Sequence, residues 1–505
     1  MSRLLLFGAL ALSCFSSASS GPLPDTPSSS SELPPLHANH LFNAIHSSMR
    51  QFGSSLHHNG MSFFISTVPA GTHFYHGRGT ADPVEGLEWL AFEPEHALFF
   101  ANPRRPPPPP PHKDPRPPPP PPPPASDQIV FGHAPPDEDP SQTGYLHTYV
   151  TKHPLRLLYL DGMSAAKSEK GTLDTQDYVL ARAERGSWGE RERATEMCER
   201  ARNEWRGGID GILRMEAGFE IILCSFEEHV TPLRITAAAR SDQGNGEERW
   251  SWIQAITARY HGIGGGRVQL DYDDFVSAYS FPDAELFAAG QLPRLNATSN
   301  HTLKEILAQV DRLATRPTSF DHQQATTAAR HDWQAVTDMI VARHGPRLAH
   351  LTSPSIAKSS PSVLKETLDR FMRPFIDYSA RDVGAETQRC TDEYIPADWP
   401  HNQASMAIRA VSYRICSTIA SLSAAETVDV SSALKTIAEL KEWLAWTTWK
   451  QCTGCTDDEA CIVPMWPFGS KEDHERPSCA NQTTLGDHQG YWDGPFRRPR
   501  RPGPP

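Results

Sequence analysis

A chain of 505 residues with 38% hydrophobic and 9% aromatic residues is long enough for two or three domains, and its 46 prolines do not mark it as disordered throughout. Its formal charge of −12 argues against nucleic-acid binding as the main task and is read as solubility.

The first residues point to export. Arg3, the apolar stretch from Leu4 to Phe15 and the small residues Ala18-Ser19-Ser20 ahead of Gly21 read as a secretory signal peptide over residues 1–20. That apolar run is too short for a membrane span, and no later stretch approaches the ~20 apolar residues one needs. The sequence therefore predicts a secreted, extracellular protein without a membrane span. Eight cysteines follow Cys14, an even number that suits disulfides in an oxidising compartment. Cys452-x-x-Cys455 with Cys461 and Cys479 can also be written as a zinc site, but it lacks a second CxxC or a histidine pair, so no metal is assigned. The sequons at Asn296, Asn300 and Asn481 predict a glycoprotein.

Residues 21–35 are Ser/Pro-rich and read as a disordered lead-in, followed by a helix over 36–52 with Leu41, Phe42, Ile45, Met49 and Phe52 at helical spacing. Residues 61–67, MSFFIST, and 72–75 read as strands, the second delivering His76-Gly77 at its end. Residues 88–92 read as a strand, and 93–101 as a helix starting at Pro94. The proline tract within residues 103–140 is expected to be an exposed polyproline II insertion, which could also engage an SH3-like partner. Strands are expected at 146–150 and 155–160, a helix at 191–205, and a hairpin of strands 209–215 and 219–226; residues 163–180 are polar and carry no clear period. These elements make 36–240 a mixed α+β domain. Residues 245–450 read as a helical domain, with Trp443, Trp446 and Trp449 three apart on one helix face, either core or a binding platform. Residues 451–505 read as an irregular Cys-rich tail with a basic end.

Two groups stand out chemically. His76, in Tyr75-His76-Gly77, can hydrogen-bond a ligand hydroxyl while the bare backbone of Gly77 pairs with a planar amide. Glu220, in Phe219-Glu220-Ile221-Ile222, could stabilise the positive centre that forms when a glycosidic bond breaks, with Glu216 as a rival for an acid role. The glycine-rich 262–267 stretch lacks the Lys-Ser/Thr of a phosphate loop, and the acidic 271–274 stretch lacks EF-hand spacing, so neither is assigned a function. The 22 histidines include no HExxH, and there is no GxSxG.

The Tyr75-His76-Gly77 strand end, the 86–101 segment closing in Ala97-x-x-Phe100-Ala101, and the Phe219-Glu220 strand resemble the ADP-ribosyltransferase superfamily, in the subgroup marked by His, Tyr and Glu. The resemblance covers roughly residues 72–226. It implies an ADP-ribosyltransferase-like fold using NAD, with His76 on the nicotinamide ribose, Gly77 on the carboxamide, Phe99 or Phe100 in the stacking place and Glu220 as the catalytic acid. Phenylalanine stands where that subgroup carries tyrosine, and the proline-rich insertion separates the motif pieces. The whole chain resembles exported fungal proteins of unknown activity. An exported enzyme of this kind would act on a host or cell-surface protein. The alternative is a non-catalytic exported protein that binds a surface polymer or a protein partner through its helical half.

Overall fold

Strand β1 (Ser62–Val68), SFFISTV, is buried along nearly its whole length because both of its edges and both of its faces are covered. The computed structural model describes residues 35–101, 144–181, 189–238, 245–288, 290–316 and 331–492. The expected signal peptide, the lead-in to residue 34, the proline-rich insertion and the basic end lie outside these described residues.

Among the described residues nine strands form one sheet: β1, β2 (His73–Arg78), β3 (Glu88–Ala91), β4 (Gly144–Thr151), β5 (Leu155–Leu160), β6 (Gly211–Glu216), β7 (Gly218–Leu223), β8 (Val230–Ala238) and β9 (Gln269–Ser277). Their order is β8-β4-β2-β3-β7-β6-β5-β1-β9, and each neighbouring pair is antiparallel except β5 and β6. A parallel pair needs a crossover, supplied here by a π-helical turn (Thr175–Leu180) and a later helix, named below. The pairing of β2 with β3 is unusually thin. They meet only at Tyr75 and Ala91, whereas β2 pairs with β4 over six positions and β3 with β7 over four.

The expected first helix is two: α1 (Ala38–Ser47) and α2 (Gln51–Leu56), broken where Met49 takes a positive φ of 53°. Helix α3 (Pro94–Leu98) follows β3, α4 (Glu190–Asn203) completes the crossover, and α5 (Phe226–His229) turns the chain from β7 into β8. The stretch read as helical supplies α6 (Asn245–Thr257), α7 (Asn300–Thr315), α8 (Trp333–Leu351), α9 (Pro354–Ala357), α10 (Pro361–Met372), α11 (Val383–Thr391), α12 (Gln403–Ala424) and α13 (Val430–Leu444).

Four of the described strands depart from the sequence expectation: Ala460–Ile462 and Ser478–Ala480 pair antiparallel inside the stretch read as an irregular tail, and two more belong to the large sheet. β9 lies inside the stretch read as helical yet pairs with β1; a register shift between Phe64 and Ser66 of that pairing and the acidic Asp271-Tyr272-Asp273-Asp274 hide its alternation. β8 is an edge strand, mostly exposed and carrying Pro232, so neither face gives a hydrophobic signal.

One hydrophobic core runs from Leu41 and Phe42 of α1 through the sheet to Ile415 of α12 and Leu444 of α13. Helix α1 is tied to the far end of the sequence by Asn39 and Asn43, whose side-chain amides donate to the carbonyls of Trp443 (2.6 Å) and Leu444 (2.9 Å). The three tryptophans do not share one helix face. α13 stops at Leu444, Ala445 adopts a positive φ of 51°, and Trp446 is buried and stacked on Trp449 at 5.3 Å. The eight cysteines after Cys14 pair as Cys198–Cys224, Cys390–Cys416, Cys452–Cys461 and Cys455–Cys479, so the CxxC cysteines belong to two different bridges. No described helix is long and apolar enough to cross a membrane.

His344 of α8 is fully buried, stacked on Phe371 at 5.2 Å, with its Nε2 2.7 Å from the Tyr394 hydroxyl. Burial, reinforced by Arg343 and Arg347, pushes its pKa down to about 3. The unfolded chain takes up a proton here as pH falls below 6.5 and the folded chain does not, so this stability is present above 6.5 and lost toward pH 3. Between pH 6 and 4 the wild-type protein should lose about 1.4 kcal/mol more per pH unit than His344→Gln. Parallel slopes in urea unfolding across that range would contradict the assignment.

Candidate active site

The thin junction of β2 and β3 opens a recess of about 390 Å³, part of it open to solvent, lined by residues of β2, β3, α3 and β7. His76, Gly77, Phe100 and Glu220, all singled out in the sequence, line it together, joined by Tyr75, Glu88, Trp89 and His96.

His76 is buried and spans the gap: its Nδ1 lies 2.8 Å from the Trp89 carbonyl. A carbonyl only accepts, so Nδ1 is the donor. The ring packs edge-on against Phe226 and His147. His76 thus substitutes a side-chain hydrogen bond for the backbone ladder missing beyond Tyr75.

Gly77 is required for a reason the sequence reading did not identify. A Cβ there would lie 1.9 Å from the Ala97 carbonyl oxygen and 2.8 Å from the Ala101 nitrogen, so the end of α3 rests directly on the bare backbone. Phe100 lines the recess, whereas Phe99 stacks on Trp252 at 5.4 Å in a smaller apolar cluster that includes Phe52 of α2 and Ile253 of α6, so Phe100 alone of the two is placed for stacking. His96, at the centre of α3, is stacked on Trp252 at 5.1 Å; burial pushes its pKa down to about 3 and keeps the ring neutral.

Glu220 is buried and held by Arg214 on β6, directly across the hairpin. Arg214 has no exposed side-chain surface. It donates through Nε to Glu220 (2.9 Å), through Nη1 to the side-chain oxygen of Gln176 (2.9 Å), and through Nη2 to Glu190 and to Glu220 (2.8 Å). Glu190 also receives Arg193 at 3.2 Å, Arg193 reaches Asp177 at 2.7 Å, and Lys167 lies 3.2 Å from Glu216 and 3.7 Å from Glu190. Four carboxylates therefore face three cations. Burial would raise the Glu190 carboxyl, but Arg214, Lys167 and Arg193 hold it down to about 2. Burial raises Glu216 to about 7 against Lys167, with the charge of Glu220 adding. Glu216, the rival acid, is not among the residues lining the recess.

The π-helical turn explains why residues 163–180 carried no period. Its Gln176 and Asp177 serve Arg214 and Arg193, and the preceding Asp174 binds Arg294 at 3.0 Å. Polar residues there answer buried cations on other elements, a requirement no local pattern contains.

A nitrogen of His96 and oxygens of Glu216 and Glu220 fall within 4.8 Å of one another, a spacing open to a metal ion. Lys167 and Arg214 already neutralise those same carboxylates, and an ion between them would sit against two buried cations.

Compared with known proteins, residues 35–123 and 112–242 match a family model described as the YPL277C N-terminal domain. The chain is similar to two uncharacterised proteins of Saccharomyces cerevisiae. It is 35% identical to YOR389W over 196 residues, covering 37% of this chain and 31% of that protein, and 35% identical to YPL277C over 197 residues, covering 37% and 40%. This chain therefore spans well under half the length of either relative. All residues lining the recess fall within the matched span. No solved structure matches.

Replacing Arg214 with leucine strands buried carboxylates and should lower the unfolding free energy by about 3–5 kcal/mol; lysine should fail to restore it, because one ammonium cannot bridge three partners. Gly77→Ala should displace α3 and destabilise by at least about 2 kcal/mol. Chemical denaturation tests both, and wild-type midpoints would show that these contacts carry no stability.

Proposed function

We propose that the recess holds the nicotinamide-ribose end of NAD and that the protein is an ADP-ribosyltransferase-like enzyme. The support is one observation: His76, Gly77, Phe100 and Glu220 line the same recess although they come from β2, the end of α3 and β7. Cleavage of the nicotinamide–ribose bond builds positive charge on the ribose, and a buried carboxylate stabilises such charge most when water is kept out. Glu220 is assigned that role, with Arg214 fixing its orientation. His76 is assigned to a ribose hydroxyl. The β3-facing backbone at Gly77 lies beyond the single β2–β3 pairing position and is assigned to the carboxamide. Phe100 is assigned to the nicotinamide ring.

The protein is further proposed to be exported and glycosylated. Four disulfides suit an oxidising compartment, and Asn296 and Asn300 are exposed. An exported transferase would meet its acceptor on a host or cell-surface protein.

The wild-type protein should bind NAD by calorimetry and release nicotinamide. Glu220→Gln should cut release by at least about 100-fold while NAD affinity stays within about threefold, because the residue acts on charge in the transition state. Unfolding curves of the variant control for the altered Arg214 network. A wild-type protein that neither binds NAD nor releases nicotinamide would sink the reading.

A further inference from the structure

A second group of metal-competent side chains lies outside the recess, at the end of the sheet where β4 turns into β5. His153 stands in that turn, Asp210 immediately precedes β6, and His229 ends α5. Each offers one ligand atom, and these atoms all lie within 4.8 Å of one another. Neither histidine takes part in the NAD reading.

The hydrogen bonds around the two rings decide where their lone pairs point. His153 Nδ1 is 3.0 Å from the Pro154 carbonyl, which can only accept, so Nδ1 carries the proton and Nε2 the lone pair. His229 Nε2 lies 3.8 Å from the Asp210 carboxylate, beyond hydrogen-bond reach. His153 Nε2 accepts from His229 Nδ1 at 3.3 Å, a contact that an ion between the two rings would replace. The spacing is the one two imidazole ligands adopt on a tetrahedral zinc ion, about 3.3–3.4 Å for Zn–N bonds of about 2.0–2.1 Å.

The constellation is held by backbone bonds independent of any ion. The Lys152 amide donates to the His229 carbonyl at 2.9 Å, fastening the β4–β5 turn to α5. The Asp210 amide donates to the Arg156 carbonyl at 2.8 Å, and the Arg156 amide donates back to Asp210 Oδ2 at 2.8 Å. Cys224, bridged to Cys198, donates its amide to the Asp210 carbonyl at 3.0 Å. The side chains of His229 and Asp210 are 13% and 18% exposed, so an ion has a route in from solvent.

We propose that His153, His229 and Asp210 form a zinc site, with three protein ligands and a fourth position left to water. Two imidazoles and one carboxylate select zinc over the hard cations magnesium and calcium, which take oxygen ligands. The ion would clamp the β4–β5 turn, the approach to β6 and the end of α5 together.

The test uses the full-length, disulfide-intact protein, stripped with EDTA and titrated with zinc chloride by calorimetry, with magnesium chloride as the comparison probe. One zinc per chain should bind with micromolar or tighter affinity, and magnesium should not bind. His153→Gln and His229→Gln should each weaken zinc at least about tenfold, whereas His301→Gln, at an exposed position on α7, should not. Should His229→Gln fail to fold, His153→Gln in the turn carries the test alone. Absence of stoichiometric zinc, or wild-type affinity in the His153 variant, would overturn the proposal.

Discussion

A guanidinium with no contact to water sits at the centre of this fold. Arg214 binds Glu220 across its own hairpin, and Glu190 and Gln176 from α4 and the π-helical turn, elements more than twenty residues earlier that must be in place before its charge is answered. Burying an unpaired guanidinium costs several kcal/mol, so the arrangement rejects partly docked forms of the crossover. The same contacts orient Glu220 at the wall of the recess. Stability of the crossover and geometry of the candidate site therefore rest on one side chain.

The recess itself follows from a defect in the sheet. A continuous β2–β3 ladder would leave no room, but the strands meet at one position and then part. His76 bridges the gap with its ring, and α3 covers it because Gly77 has no Cβ to hold the helix away. Glycine at that position thus serves packing. The buried histidine on α3 is kept neutral, so it adds no positive charge beside Glu220.

The helical portion is not an appendage on a finished α+β layer. β9 completes the sheet next to β1, and the amides of Asn39 and Asn43 in α1 satisfy carbonyls at the end of α13. Orphan carbonyls at a helix end need such partners, and here they come from about four hundred residues earlier.

The amino-acid order by itself determined the features whose cause is local: the strands with β-branched and aromatic runs, the helix opened by Pro94, the hairpin carrying Glu220, and an even set of cysteines destined for bridges. It also marked His76, Gly77 and Glu220, because a histidine and glycine at a strand end and an isolated acid in an apolar strand are conspicuous within a few residues. Features set by distant partners were not legible. The polarity of residues 163–180 makes sense only beside Arg214, Arg193 and Arg294. β9 is recognisable only beside β1, and the choice of Phe100 over Phe99 depends on where Trp252 lies. The cysteine pairing and the meeting of His153, Asp210 and His229 were likewise decided by tertiary structure, because side-chain period is a property of neighbours along the chain, whereas charge satisfaction and ligand convergence are properties of neighbours in space.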